Sequence, residues 1–586
     1  MMTIRKSYII ALFFCCAIGH NVLNAQENIN QDVKVVKAYT PTISDAYKVN
    51  YMPELNDSTT ISPAFNYRIL STSASTNYEP APISPAKISF KRKEHLNSSY
   101  LKGGIGNYSS LLAELGYNVL ENEKYLLGFN IGHISSFGEL TLENEQSVEA
   151  PFHDTWASAD FKHFFDDKTF GIELGFNRSK YQYYGYQTLV SDELYLDNDG
   201  QVALGSDLSP AVDQRLSGFD VTASLMNNET DDRKTKYSAF GGFNAFGSLT
   251  GVSQMGFKLG GQLLYPVNDL GIKVDGEVKS FSTKVPTATD VMYSFKDRSH
   301  TLIRVNPGVV FNFDRASIQV GVMMAGFIDT EGDEFYVTPD VLGELTVVEG
   351  IATVYGGITG RVGMNDYQSV LNENAFAAAD VNVKSSIYGV NFLAGIKGNF
   401  SSATSFSLGM EYGFFNNEHF WVNRSYALQT PPVDQAGMHY SNVFDVVYDD
   451  GSLLKVAGEI LYKPKPNMEF LLNGAYYGWN LDGLEKAWHK PEVEIGVEGR
   501  FNVLDNLFAK AGVTYLGDRW AMDVSNIDLS KKLGGVVDVN LGAEYFFSKQ
   551  WSFWATINNM AAAKYYKWNG YPTQRFSAKA GIIFSF

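Results

Sequence analysis

The chain has 586 residues, 47 basic and 64 acidic, for a formal net charge of −17; 45% are hydrophobic, 14% aromatic, 53 are glycine and two are cysteine. That balance excludes a nucleic-acid binder, which would carry the opposite sign, and no stretch after residue 25 approaches the roughly 18 apolar residues of a membrane helix. A secreted chain this rich in aromatics and glycine points instead to a closed sheet in a membrane, with a large extracellular all-β protein as the competing class.

Residues 1–25 predict a secretory signal. Arg5 and Lys6 form its charged start, Ser7–Gly19 its apolar run and Ala25 its cleavage site, and the run is too short to cross a bilayer as a helix. Both cysteines, Cys15 and Cys16, lie inside it behind Phe13 and Phe14, where a lipoprotein signal would have small residues. The mature chain is therefore expected to have no disulfide and no thiolate metal site. Without Arg5 and Lys6, 45 basic residues stand against 64 acidic ones, a mature balance of about −19.

Residues 26–97 hold six of the eighteen prolines (Pro41, Pro53, Pro63, Pro80, Pro82 and Pro85), set among Ser, Thr and Asn. Proline at that density removes ladder donors and interrupts helices. The expectation is an extended periplasmic or lumenal arm without a fold of its own, with Asp32–Tyr39 (DVKVVKAY) as its one good strand candidate.

From residue 98 to 586 the pattern is that of amphipathic strands, each about 9–14 residues long. Leu111, Ala113, Leu115, Tyr117 and Val119 alternate with Leu112, Glu114, Gly116 and Asn118; Val537, Val539, Leu541, Ala543 and Tyr545 alternate with Asp538, Asn540, Gly542 and Glu544. Short turns are predicted at 120–123, 166–168, 228–234, 266–270, 314–316, 348–350, 401–403, 463–467, 504–506 and 548–550. Between them lie connections at 107–108, 135–153, 181–215, 248–253, 283–299, 328–334, 362–384, 416–451, 480–490, 518–534 and 560–574, most of them long. Tight periplasmic turns alternating with long extracellular loops mark an up-and-down outer-membrane barrel. Ten turns and eleven loops give 22 strands, an even number that leaves both chain ends on the periplasmic side. Pro307 and Pro339 fall inside predicted strands, so bulges or rim positions are expected there.

The closing stretch is the most specific. Phe576, Ala578, Ala580, Ile582, Phe584 and Phe586 share one strand face; Arg575, Ser577, Lys579, Gly581, Ile583 and Ser585 share the other. Lys579, Gly581, Phe584 and Phe586 resemble, position for position, the C-terminal signal by which the barrel-assembly machinery recognises its clients. Ile557–Phe586 is similar to the last strands of the TonB-dependent receptors, with Asn558–Asn559 as the Asn-rich bend, Lys564–Tyr565–Tyr566 as the Lys-Tyr pair and Gly570–Tyr571–Pro572 as the Gly-Tyr-Pro loop. The resemblance covers residues 98–586 and implies an all-β transmembrane barrel of about 22 strands in outer-membrane lipid. That family fills its lumen with an N-terminal plug much longer than the 72 residues between cleavage site and barrel here. The expectation is thus a plugless variant, similar to receptor-like barrels of Bacteroidota. Asp32, Val33, Val35, Val36 and Tyr39 resemble the family's energy-coupling box and are the candidate partner-binding residues of the arm, although valine-rich octets are common.

No nucleophile elbow, phosphate loop or zinc-helix motif appears, and His95, His133, His153, His163, His300, His419, His439 and His489 are scattered without ligand spacing. Neither an enzyme nor a metal or other cofactor is expected. Asp197 and Asp199 with Gly200, and Asp329 and Glu331 with Asp333, form acidic loop tips that lack the full calcium pattern and read better as solvated charge. Phe414, Phe415, Phe420, Trp421 and Tyr426 crowd one loop, Tyr477, Trp479 and Trp488 another; an interfacial girdle suits them better than a face for stacking on sugars or protein. Glu114, Lys455, Glu459, Arg500, Lys510 and Lys579 should face a wet lumen. A ring this wide needs filling, by the arm, by infolded loops such as 181–215 and 416–451, or by another protein. The expected function is transport of a solute, or housing of a translocated segment, across the outer membrane. The alternative is a non-transporting scaffold that docks periplasmic or outer-membrane partners through arm and lumen.

Overall fold

The computed structural model describes residues 99–586 apart from 122–123, 144, 146, 186–194, 197–201, 204–212, 230–233, 250, 269, 285–296, 331, 379–380, 428–437 and 523–529. The signal 1–25 and the arm 26–97, with Asp32, Val33, Val35, Val36 and Tyr39, lie outside the described residues.

Period-two alternation turns directly into a wall. Along Ser253–Val267, Met255, Phe257 and Leu259 are 60%, 62% and 64% exposed, while Gln254, Gly256 and Lys258 point to the opposite face. Repeated around the molecule, this gives one 22-stranded sheet in which each strand pairs antiparallel with the next. The ring closes where Ser99–Gly106 pairs with Ser577–Ser585, from Tyr100 opposite Ser585 to Gly106 opposite Lys579. An apolar exterior around a polar interior, with no open edge, is a β-structure that can span a bilayer. Twenty of the 21 expected connections fall at breaks between wall strands.

Aromatic rings mark the membrane boundary at the short-turn end. Phe400 stacks on Phe406 at 4.1 Å, Phe547 on Phe553 at 4.9 Å, and Trp551 meets Phe584 at 4.5 Å. Phe400, Tyr462, Phe547, Trp551 and Phe586 are exposed, as a girdle at the headgroup level requires.

The two prolines behave differently. Pro307 produces no bulge: the ladder to Ala316–Asp329 skips two positions between Val305–Met324 and Gly308–Gly321 and resumes in the same register. Pro339 pairs with Val322 on one side, but pairing to Ala352–Gly363 begins only at Asp340, so it occupies the rim of that second ladder.

One expected loop is strand instead. Thr404–Ala427 and Met438–Lys465 are 24 and 28 residues long, and their ladder continues past a bulge between Phe415 and Glu418 up to Ala427 opposite Met438. A membrane needs only about 9–11 residues per strand, so most of the segment 416–451 is a hairpin standing clear of the bilayer rather than a loop. Other long connections also carry structure: small hairpins at Glu139–Thr141 with Ser147–Glu149 and at Arg519–Ala521 with Lys531–Leu533, and the helix α1, Tyr367–Glu373.

Candidate functional site: a cap built by the long connections

Connection 364–385 crosses the mouth of the barrel. Asp366 starts α1 with a capping box: its carboxylate accepts from the Ser369 N–H at 3.0 Å, and its own N–H donates to the Ser369 hydroxyl at 3.0 Å. Such a cap is worth about 1 kcal/mol, enough to matter in a seven-residue helix. Tyr367, Val370 and Leu371 then pack with Leu216 and Phe246 of the wall and with Val252 of the connection beside them. Asn244 donates to Gln368 at 3.1 Å, and the Asn365 carbonyl meets His300 Nε2 at 3.2 Å.

Beyond α1 the strap is received first by the strand next to that of Leu216 and then by the opposite side of the wall. The Tyr181 hydroxyl donates to the Ala375 carbonyl and the Tyr183 hydroxyl to that of Ala377, at 3.2 Å. Phe444 and the strap exchange backbone bonds, Ala378 N–H to Phe444 at 2.8 Å and Phe444 N–H to Phe376 at 2.9 Å. Tyr181 and Phe444 stand nearly half the ring apart, so the strap bridges the opening. Phe376 is its keystone, stacked on Tyr571 at 3.7 Å with Tyr181 and Tyr184 edge-on at 5.8 and 5.7 Å. Around it Trp421, Phe444, Trp568 and Tyr571 are all buried in a single cluster.

A charged knot ties the strap to the tall hairpin. Glu373 ends α1 and accepts from His419 Nε2 at 2.6 Å and Trp421 Nε1 at 2.9 Å. Lys490 places its ammonium 3.7 Å from Glu373 and 3.6 Å from Glu418, which also accepts the Tyr388 hydroxyl at 3.0 Å. Burial disfavours the charge on Glu373, but His419 and Lys490 outweigh it and hold the carboxyl well below the usual range. Burial likewise opposes the Lys490 charge, and Glu373 and Glu418 overcome it to raise its pKa. His489 sits next to this knot with φ 60°, its Nδ1 donating to the Trp421 carbonyl at 2.8 Å and its Nε2 accepting from the Asn569 N–H at 3.3 Å. Burial pushes its pKa down to about 3 and keeps the ring neutral. Arg519 clamps the last connection by donating to the carbonyls of Lys567 and Tyr566 at 2.6 and 2.7 Å.

On the inner wall, Met438–Lys465, Met468–Leu481, Val493–Leu504, Leu507–Leu516 and Val536–Phe546 border a cavity of about 760 Å³ that reaches up to Tyr565. Lys455, Glu459 and Lys510 line it, and Glu114 accepts from Tyr100 at 2.6 Å on the same inner surface.

The aromatic residues singled out from the sequence divide. Phe414 is half exposed and fits the girdle, but Phe415, Phe420, Trp421 and Trp488 are 2% exposed or less. They are neither girdle nor stacking face, because the hairpin above the membrane is covered on both sides: Phe420, Val422 and Trp488 form one cluster, and Trp421 joins the strap in another. Trp479 packs edge-on to Phe415 and Phe420, and Tyr477 lies beside Phe415. The side chain of Tyr426 lies outside the described residues, as do Asp197, Asp199, Gly200 and Glu331. Asp329 is held by Arg298 at 2.5 Å, and Asp333 accepts from the Asp329 N–H. Among the described residues no three His, Cys, Asp or Glu side chains are grouped to hold a metal.

Lys579, Gly581, Phe584 and Phe586 lie at the closing seam. Gly581 faces Gly104 across it, and Phe586 exchanges backbone hydrogen bonds with Ser99 at 3.2 and 2.9 Å. Glu373, His419, His489, Lys490 and Arg519 were not singled out by sequence reasoning. A loop run of Trp488, His489 and Lys490 between strands is the one local hint, since bulky residues in a tight loop need somewhere to be buried.

The sequence matches no protein-family profile and no curated protein. Solved structures, in contrast, share its fold. The copper transporter OprC superposes with a TM-score of 0.58 at 12% identity, over 83% of this chain and 80% of that one. The ferripyoverdine receptor of the outer membrane of Pseudomonas aeruginosa gives 0.57 at 12% identity, over 85% and 72%. The ferric-catecholate import receptor Fiu from E. coli K12 gives 0.57 at 9%, over 84% and 82%. The fold is that of a TonB-dependent receptor barrel. Together with the apolar exterior, it makes the chain a multi-pass barrel of the bacterial outer membrane.

Proposed function

We propose that the chain is a non-enzymatic outer-membrane transport barrel of receptor type, which passes a solute or houses a translocated segment in its lumen and does so without a full plug. The observation that carries this reading is the pairing of a charged lumenal cavity with a cap made of the wall's own connections. A scaffold that only docks partners has no use for a wet path with a closable outer end. A cap built from loops can move away while the wall stays shut, because it meets the wall through side-chain packing, one charged knot and a handful of hydrogen bonds, whereas each wall strand is held by a continuous ladder. The strap between residues 364 and 385 closes the outer end.

Current through planar bilayers tests this. The intact chain is expected to stay mostly closed, and Lys490→Ala, which unties the knot, to open large stable pores. A folded Lys490→Ala barrel that remains silent while holding a co-purifying protein overturns transport in favour of the scaffold.

A further inference from the structure

One sector of the outer wall turns basic where its apolar band ends. Cross-strand register runs Ile131–Ala157–Phe176–Phe219 over the outward face of four neighbouring strands, and Ile131, Phe176 and Phe219 are exposed, as lipid contacts are. The next outward row toward the long connections is His133–Thr155–Arg178–Ser217, and the one after it is Ser135–His153–Lys180–Arg215. These side chains do share a face: His133 Nδ1 lies 2.8 Å from the Thr155 hydroxyl, and the rings of His133 and His153 are 6.1 Å apart. Lys180 and Arg215 stand ten residues along from Phe170 and Leu225, which face each other near the short turns. That is roughly 34 Å of strand, or about 24 Å along the barrel axis at a tilt of about 45°, the height of the apolar band in such barrels. Arg178, Lys180 and Arg215, all exposed, therefore sit where hydrocarbon gives way to headgroups. Lys180 is paired with Asp213 at 3.0 Å, but among the described residues the guanidiniums of Arg178 and Arg215 meet no carboxylate. The two are diagonal neighbours on adjacent strands, about 7–8 Å apart at the backbone, so both forks can close on one anion. Below them the wall is furrowed. Ala159 and Ala157 lie between Phe129 and Ile131 on one side and Leu174 and Phe176 on the other, leaving a groove along the strand of the width of an acyl chain. On the far side of the ring, the outward Tyr476 and Tyr515 are exposed and neutral.

We propose that this sector binds a phosphorylated glycolipid of the outer leaflet, with a sugar phosphate held by Arg178 and Arg215 beside Lys180 and one acyl chain lying along the Ala157–Ala159 furrow. The inference rests on the long connections being extracellular, as they are in barrels of this class, and is independent of what passes through the lumen. A phosphate monoester is the ligand that two guanidiniums suit: it offers close to two negative charges and three acceptor oxygens, against paired planar forks of N–H donors. The low dielectric just below the row strengthens that attraction relative to open water. A phospholipid with a single diester charge uses the pair less fully, so the geometry selects the sugar phosphate over it.

The probe is diphosphorylated lipid A, added to the full chain in detergent, with bound lipid counted by native mass spectrometry. The unaltered chain is expected to retain a single molecule. Arg178→Gln with Arg215→Gln should weaken retention about thirtyfold, at about fivefold for each cation beside a lipid surface, and removing both phosphates from the probe should weaken it at least as much. Ala157→Phe with Ala159→Phe fills the furrow without touching charge and should weaken retention about tenfold, the loss of about two buried methylenes. Lys284→Gln removes another exposed cation at the same end of the wall, three strands on from Arg215, and should change nothing. Every substituted side chain lies on the outward face, and heat-modifiable mobility verifies that each variant is folded. Equal retention of dephosphorylated lipid A or of phosphatidylglycerol overturns the site. So does indifference to the arginine pair or to the filled furrow, or a loss in Lys284→Gln as large as that of the pair.

Discussion

Along Ser253–Val267 every second side chain meets lipid and its neighbour meets the lumen; along His419–Asn423 successive side chains are both buried, one set beneath Trp488 and the other against the strap. The wall is held by hydrogen bonds between strands adjacent in sequence, from Ser99–Tyr117 to Asn558–Ser577. The cap is held by side chains distant in sequence, such as Tyr184 on the Pro572 carbonyl and Glu373 on Lys490. Wall and cap should therefore fail separately, and a variant that damages both would break the distinction.

The largest effect is expected at the seam. A Cβ on Gly581 would stand 1.9 Å from the Gly103 carbonyl oxygen and 2.6 Å from the Gly104 Cα, both backbone atoms that the closing pair cannot move without losing register. Gly581→Val should cost about 4 kcal/mol or more, in the range that backbone overlap reaches, and should abolish the heat-modifiable folded form. A folded Gly581→Val barrel would mean that the seam is not what closes the wall.

Second comes Lys490→Ala. It leaves Glu373 and Glu418 buried side by side with one cation fewer, and breaking such a group costs about 3–5 kcal/mol. Because the knot belongs to the cap alone, heat modifiability should be unchanged while amide exchange in Asn365–Lys384 accelerates. Loss of the folded wall in this variant would show that cap and wall are one cooperative unit.

These two predictions also show what was legible in the sequence. The wall was readable because one face meets lipid and the other water, so polarity alternates at Met255–Gln254 and Ile582–Gly581 alike. The tall hairpin reads as a loop in the sequence because both of its faces are covered, which erases that contrast: Phe420, Trp421 and Val422 are consecutive and all buried. Asn416–Asn417 and Asp449–Gly451 look like turns and are instead the two sides of its bulge region. The charged knot was illegible for a different reason. Glu373, Glu418 and Lys490 carry no mutual spacing, and only the folding of three separate connections over one opening brings them together.

A smaller effect is expected from Phe376→Ala. It removes the ring stacked on Tyr571 and the two tyrosine edges around it, for which about 3 kcal/mol is the usual loss. The knot remains, so exchange should rise in residues 374–378 more than in α1, and channel openings should be brief rather than stable. Exchange that rises uniformly from Asn365 to Lys384 would make the aromatic stack, rather than Lys490, the anchor of the strap.

The smallest effect over the neutral range is expected from pH, and its sign follows from His489 and Glu373. His489 is neutral in the closed cap, its pKa pushed down to about 3 by burial, with the Trp421 bond opposing and Arg519 reinforcing. Released into water it would titrate near its ordinary value of about 6.5. Between these values opening takes up a proton, so closure is fully stable above about pH 6.5 and weakens by up to about 1.4 kcal/mol per unit as pH falls below it. Glu373, whose pKa is depressed in the closed cap, adds its own loss only below about pH 4.5, where an exposed glutamate begins to protonate. The raised pKa of Lys490 keeps its contribution intact until pH passes the ordinary lysine value of about 10.4. Strap exchange and open probability should thus be flat from about pH 7 to 10, rise below about 6.5 and steepen below about 4.5. His489→Asn suits the test, because Asn tolerates the φ of 60° at this position and does not titrate. In that variant the rise between about pH 6.5 and 4.5 should vanish while the steeper one below it stays. If the rise survives in His489→Asn, the proton is taken up somewhere other than the ring held between Trp421 and Asn569.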